Sequence, residues 1–153
     1  MTLKDFTMAL GKLPLQYEPG KQWHYSVSVD VQGRLVEVLS GMSFGSFLRE
    51  RIFEPLDMAD TGFVIQESNM NRLARLYQPK GSQPGNFLYT ATTSALEPAP
   101  KEYDVAYLGG SKFESGGGGL LSTARDYLRF CQMMLKVHQL AHFWQIFHGV
   151  SSE

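Results

Sequence analysis

Few residues in this 153-residue chain have types and spacing that bear chemistry directly. Gly41-Met42-Ser43-Phe44-Gly45 spells G-x-S-x-G. In a nucleophile elbow this pattern strains a serine between a strand and a helix, so its hydroxyl stands clear beside backbone oxyanion donors. Asp104 and His138 follow in the chain order that would complete a triad with Ser43. The flanking residues favour a helix-to-helix turn instead, because Gly41 is a natural helix stop and Ser43 a natural helix start. His138 and His142 stand one helical turn apart, with His148 beyond them. Imidazoles at that spacing share a face as metal ligands do, but no glutamate lies between them to make H-E-x-x-H. A polar tail is the expectation there, and no metal. The run Gly116-Gly117-Gly118-Gly119 precedes a helix, where an anion is readily held. It lacks the Lys-Ser/Thr ending of a P-loop, so the glycines are expected to allow backbone to approach backbone closely.

These residues must be positioned mainly by helices. Leu3, Phe6, Leu10 and Leu13 repeat at helical spacing until Pro14 stops the run, and Tyr17-Glu18-Pro19-Gly20 reads as a turn. Val27, Val31, Leu35, Val38 and Leu39 fall on one face of a second helix, ending at Ser40-Gly41. Ser43 caps a third, with Phe44, Phe47, Leu48 and Ile52 packing inward until Pro55. A short strand is expected over Thr61–Ile65 and a helical turn or two over Met70–Leu76. From Tyr77 to Gly119 the pattern dissolves into Gly, Pro and Ser with β-like pieces such as Phe87–Thr93. A stretch of that length is usually functional or lacks its packing partner. Ser122 is expected to cap a last helix carrying Ala124, Leu128, Cys131 and Leu135.

Composition narrows the function classes. The chain is 43% apolar with 12% aromatics, which suits one globular domain rather than disorder. A net charge of -1 gives no field for nucleic acid or an anionic membrane. Cys131 is the single cysteine, so a disulfide framework and a cysteine zinc site are both excluded. No apolar run approaches the roughly 18 residues of a spanning helix, and Met1–Phe6 lacks a signal-like apolar stretch. A cytoplasmic protein without membrane contact is the expectation.

Tyr25 takes its meaning from its surroundings. Tyr17-Glu18-Pro19-Gly20-Lys21-Gln22-Trp23-His24-Tyr25-Ser26 places a tyrosine after a Pro-Gly turn and just before a helix. There the sequence resembles the serine β-lactamase-like hydrolases: class C β-lactamases, family VIII carboxylesterases and related D-alanyl-D-alanine carboxypeptidases. Leu35–Gly41 resembles that family's helix after the tyrosine. Phe53-Glu54-Pro55-Leu56-Asp57-Met58-Ala59-Asp60-Thr61-Gly62-Phe63 is similar to its F-x-P-L-G-M-x-D-T-x-F, with Asp57 where glycine is usual. Gly117–Tyr127 is similar to its G-G-G-L-x-S-T-x-x-D. Val27 stands where class C lactamases carry asparagine, which brings the motif nearest to the esterases. The resemblance implies a partial domain over 1–137 and a non-matching tail over 138–153. It also implies a mixed α/β fold of the β-lactamase/transpeptidase-like type, this segment being mostly the helical lobe with a few short strands and an incomplete sheet.

The same resemblance implies acyl transfer through a serine ester on a small-molecule ester or β-lactam, with no metal or organic cofactor. The family serine lies in S-x-x-K, the tyrosine relays a proton to the leaving group, and Lys/His-x-Gly helps form the oxyanion hole. Tyr25 is the one element that carries over. No serine here has lysine three residues on. Ser46 and Ser122 have arginine there instead, which stays protonated and cannot serve as base. Lys-Thr-Gly and His-x-Gly are absent, and only 24 residues precede Tyr25. A phenol without a neighbouring cation is a poor base at neutral pH. The expectation is therefore a hydrolase inactive alone, with two alternatives: a small esterase using Ser43, or a non-catalytic module that binds or self-associates through exposed apolar helix faces. Without the two ends that build the sheet, the apolar faces of Val27–Leu39 and Phe44–Ile52 are expected to lie exposed, giving a marginal or aggregating fold.

Overall fold

The computed structural model describes residues 1–81, 95–100 and 112–136. Helix α1 (Leu3–Leu10) opens with a capping box, in which Thr2 Oγ1 accepts from the Asp5 N–H at 3.2 Å and the Asp5 carboxylate accepts from the Thr2 N–H at 2.9 Å. The helix ends before Leu13 because a residue preceding proline disfavours helical backbone. Lys12 and Leu13 donate instead to Ala9 and Leu10 in tight turns. Helix α2 (Ser28–Ser40) ends as expected at Gly41, whose φ of 71° lets its N–H reach the Glu37 carbonyl at 3.0 Å.

Helix α3 (Phe44–Leu48) is shorter than expected and widens into a π-helical turn over Arg49–Phe53. The Glu54 N–H reaches back to the Arg49 carbonyl at 2.9 Å. One extra residue per turn rotates the following side chains, so Phe53 is buried while Phe44, Phe47, Leu48 and Ile52 are half-buried. A 3-10 helix spans Glu67–Arg72, earlier than the expected turn over Met70–Leu76, and strand β1 (Tyr77–Pro79) takes up the residues that follow. It pairs antiparallel with β2 (Leu96–Pro98), Gln78 facing Glu97. Thr61–Ile65 is not a strand; it makes one bridge, Gly62 to Leu121. Helix α4 (Ala124–Leu135) is capped by Thr123, whose hydroxyl accepts from the Asp126 N–H at 3.2 Å, and not by Ser122. The β-like piece Phe87–Thr93 and residues Asp104, His138, His142 and His148 lie outside the described residues, as does the tail 138–153. Among the described residues, no helix is long and apolar enough to cross a membrane.

Among the described residues, Leu3, Phe53, Met58 and Met133 form the buried apolar set. Gly33 lets α1, α2 and α3 meet, since a Cβ there would lie 3.3 Å from Leu3 and 3.4 Å from the Phe44 ring. The helix faces are turned in an unexpected sense. In α2 the inward side carries Asp30, Gly33, Glu37 and Ser40, while Leu35 and Leu39 are 54% and 78% exposed and Val31 and Val38 lie beside them. In α4 the buried residues are Asp126 and Met133, and Leu128 and Leu135 of the expected apolar face point to solvent. The α2 face is exposed as expected, whereas the α3 face is half-covered by Phe63 and its neighbours.

Among the described residues, three carboxylates are held below the ordinary value of 3.8. Asp5 is held by the Thr2 backbone N–H, Asp57 by hydrogen bonding to the Arg129 guanidinium, and Asp60 by the Arg72 guanidinium. A carboxyl that ionises more readily folded than unfolded adds stability above its unfolded pKa, and that contribution is lost as pH falls through the lower folded value. All three are solvent-screened, so the melting temperature is expected to hold between about pH 7 and 5 and to fall only modestly below about pH 4. A calorimetric pH series checks this; a profile level down to pH 2.5 would contradict it.

Candidate functional site

The five residues of the G-x-S-x-G pattern join α2 to α3, with helix on both sides of Ser43. The pattern is accounted for residue by residue as a junction between helices. Gly41 supplies the left-handed stop, and Ser43 Oγ accepts from the Ser46 N–H at 3.2 Å while donating to Ser46 Oγ at 3.1 Å. The Gly45 N–H donates to Glu114 Oε2 at 2.7 Å, and the Phe44 N–H reaches Glu37 Oε1 at 3.4 Å. A Cβ on Gly45 would sit 2.5 Å from Glu114 Oε1, so glycine is what admits the carboxylate. Two acidic side chains and one hydroxyl thus satisfy the free donors at the start of α3, where the helix dipole also favours negative charge. Ser43→Ala is expected to cost about 1 kcal/mol, the ordinary value of an N-cap. Chemical denaturation of the variant measures it; an unchanged midpoint would mean the cap is idle.

Tyr25 lies three residues before α2 and is 83% exposed, its ring 6.4 Å from that of Trp23. Tyr17 and His24 form a second ring pair at 6.1 Å in the same arm. What fixes the start of α2, and so the place where this arm joins the body, is a contact between distant segments. Asp30, buried in the first turn, accepts from Ser115 Oγ at 2.5 Å and from the Gly117 N–H at 3.4 Å. Gly116 lies flat against the Val29 carbonyl: a Cβ would overlap the carbonyl oxygen and come within 2.8 Å of its carbon. The close backbone approach expected of the glycine run is therefore present, made to α2 rather than to the helix that follows.

A second junction joins the two remaining motif segments. Asp126, 3% exposed, accepts through Oδ2 from the Asp60 N–H at 2.8 Å and from Thr61 Oγ1 at 2.9 Å. Thr61 also shares a hydrogen bond with Ser122 at 2.9 Å, and Gly62 and Leu121 exchange backbone bonds of 3.0 and 2.8 Å. Asp60 turns its own carboxylate outward to a two-pronged pair with Arg72, at 2.7 and 2.6 Å. Asp57, where the sequence departs from the glycine of the pattern it resembles, has a φ of 53°. Left-handed backbone is costly for a residue with a Cβ. Arg129 offsets the strain by donating to the Leu56 and Asp57 carbonyls at 3.2 and 2.5 Å and to the Asp57 carboxylate.

A cleft of about 680 Å³ opens beside this junction, walled by Arg49, Asp60, Phe63, Arg72, Leu73 and Glu114 among others. Neither Tyr25 nor Ser43 lines it. The structure therefore keeps the two sequence-derived candidates apart from the cleft, and it makes Asp30, Glu114 and Asp126 the residues that organise the segments bearing them. Sequence reading singled out none of these three carboxylates as an organiser. The signal available was an acidic residue next to glycine and serine in the chain, as Glu114 stands between Ser111 and Ser115 and Asp30 between Ser28 and Gly33.

Three comparisons bear on what this arrangement is. Lovastatin esterase of Penicillium rubens is 32% identical over 122 residues, spanning 80% of this chain and 28% of the esterase. Esterase EstB of Burkholderia gladioli is 31% identical over 140 residues, spanning 83% of this chain and 34% of EstB. The solved structure of EstCE1, a hydrolase with promiscuous acyltransferase activity, superposes at a TM-score of 0.68 over 88% of this chain and 35% of that one, at 23% identity, which shows a shared fold. The chain spans about a third or less of the length of the curated relatives it matches, 27% to 34% for those aligned over 122 residues or more. With a match running over residues 2–146, the chain belongs to the Beta-lactamase family and forms a helix-rich part of its mixed α/β fold.

Proposed function

We propose that this chain is the tyrosine-bearing segment of a β-lactamase-related esterase or acyltransferase and that it does not turn over substrate by itself. The observation that carries the reading is the absence of S-x-x-K and Lys/His-x-Gly from a chain matching esterases over 28% to 34% of their length. In the proposed reaction a serine oxygen attacks the carbonyl of a small ester or β-lactam, and the leaving group departs with a proton. Tyr25 is the group on this chain that would relay that proton. The serine, its lysine base and one wall of the oxyanion hole must come from elsewhere. Residues 1–137 are the domain segment in this reading, and 138–153 a tail beyond it.

Incubation of the folded chain with a fluorophosphonate, followed by intact mass measurement, tests this. The expected result is no adduct, together with no release of p-nitrophenol from short-chain esters. A stoichiometric adduct on Ser43, lost in Ser43→Ala, would replace the reading with a small esterase built on that serine. A second reading, a non-catalytic module that binds a partner or a second copy, is favoured by the outward apolar face of α2.

A further inference from the structure

The cleft beside the junction of Asp60 and Thr61 with Asp126 has no part in the reaction proposed above, since neither Tyr25 nor Ser43 lines it. At about 680 Å³ it has the size of a small-molecule site, which sets a few placed polar groups in an apolar wall. The apolar wall here is Phe63, Ile65, Leu73 and Leu121, each half-buried. Hydrocarbon laid against them would take the rest of that surface out of water. Among the described residues, four charged side chains share the wall, and three have their charge committed. Asp60 and Arg72 hold each other through two hydrogen bonds. Glu114 accepts from the Gly45 N–H at 2.7 Å, at the start of α3. Arg49 is the fourth. Its guanidinium donates to Ser46 Oγ at 3.4 Å and, among the described residues, enters no ion pair.

We infer that this cleft binds an apolar monocarboxylate, its acid group on Arg49 and its hydrocarbon along Phe63, Ile65, Leu73 and Leu121. A guanidinium is a planar fork whose several donors match a carboxylate two at a time, and Arg49 spends one of them on a hydroxyl. The spare charge is a single positive one, which a monoanion balances. A phosphate dianion would bring a second negative charge into a wall that already holds Asp60 and Glu114. A polar acid would leave the four apolar side chains as they are, so the hydrocarbon is as much a part of the fit as the charge.

Calorimetry and amide NMR spectra of the whole chain titrated with sodium octanoate test this. Saturable binding is expected, with shifts at the amides of Gly62–Ile65 and Leu121–Ser122. Each methylene added from butanoate to octanoate should tighten it about threefold. Octanol, the same chain length without the charge, should bind about fivefold more weakly. Arg49→Gln should weaken octanoate by about the same factor and leave octanol unchanged, while Arg49→Lys should keep most of the octanoate affinity. Arg49 is exposed, so both variants are expected to melt with the parent. If either melts lower, the ratio of octanoate to octanol affinity on that variant still isolates the charge. Absence of saturable binding would overturn the inference, as would an equal loss of both probes in Arg49→Gln. Shifts gathered at Trp23, Leu35 and Leu39 would place octanoate on the exposed apolar surface instead and end it. Displacement of octanoate by an equal concentration of inorganic phosphate would show a site for bare anions and overturn it too.

Discussion

Asp126→Ala is expected to destabilise the chain by about 3 kcal/mol, a large share of the 5–15 kcal/mol that holds a typical domain folded. The carboxylate is buried and accepts two hydrogen bonds from a segment 65 and 66 residues away in sequence. Removing it leaves the Asp60 N–H without its acceptor, and a buried donor so stranded costs about 1–3 kcal/mol. Thr61 loses less, because its hydroxyl still has Ser122 at 2.9 Å. Some of the cost is returned, since the alanine no longer has to desolvate a charge. For a chain of this length the melting temperature should fall by about 10 °C. Asp126→Asn keeps one acceptor oxygen and should lose about half as much. The exposed Asp60–Arg72 pair provides the contrast: solvent screens it, and Arg72→Ala should leave the midpoint close to that of the parent. A melting curve for Asp126→Ala that overlays the parent would mean that the junction between the D-T and S-T segments is not where the stability lies.

Two neighbouring glycines should answer to alanine in opposite ways. Gly116→Ala is expected to cost about 3 kcal/mol, because the added methyl meets backbone at Val29 rather than a side chain that can swing aside. The loop must lift from α2, which also parts Ser115 and Gly117 from the buried Asp30. At Gly118 a Cβ would meet nothing within 4 Å and the backbone is not left-handed. Gly118→Ala should therefore stay within about 0.5 kcal/mol of the parent, helped by a less flexible unfolded chain. Urea midpoints for the two variants decide the matter. Equal losses would show the run acting only through flexibility, and no loss at Gly116 would show that the loop does not rest on α2. Because this contact sets the first turn of α2, a lifted loop should also speed amide exchange at Asp30 and Val31, whose N–H groups donate to the Val27 carbonyl.

How much of this was legible beforehand follows from the range of each effect. Gly41 as a helix stop, Ser43 as a cap, the helices over Ser28–Ser40 and Ala124–Leu135, and the close approach of the glycine run were all readable, because caps, periodicity and the lack of a Cβ act within a turn or so of chain. The motif segments were equally readable as a family, and the absence of S-x-x-K needs no structure at all. Ser122 as the cap was off by one, since serine and threonine are near-equal caps and only the backbone decides which stands outside the helix.

Tertiary structure decided the rest. Periodicity identified the apolar stripe of α2 but not its direction; contacts at Asp30, Gly33 and Glu37 turned it outward. The π-helical turn that buries Phe53 in place of Ile52 leaves no local mark in the residues that form it. Asp57 holds a glycine's backbone because Arg129, 72 residues further on, binds it there. Glu114 reaches Gly45 across 69 residues and Gly117 reaches Asp30 across 87. A carboxylate looks the same in sequence whether it faces water or a distant N–H, and only the path of the chain brings that donor to it.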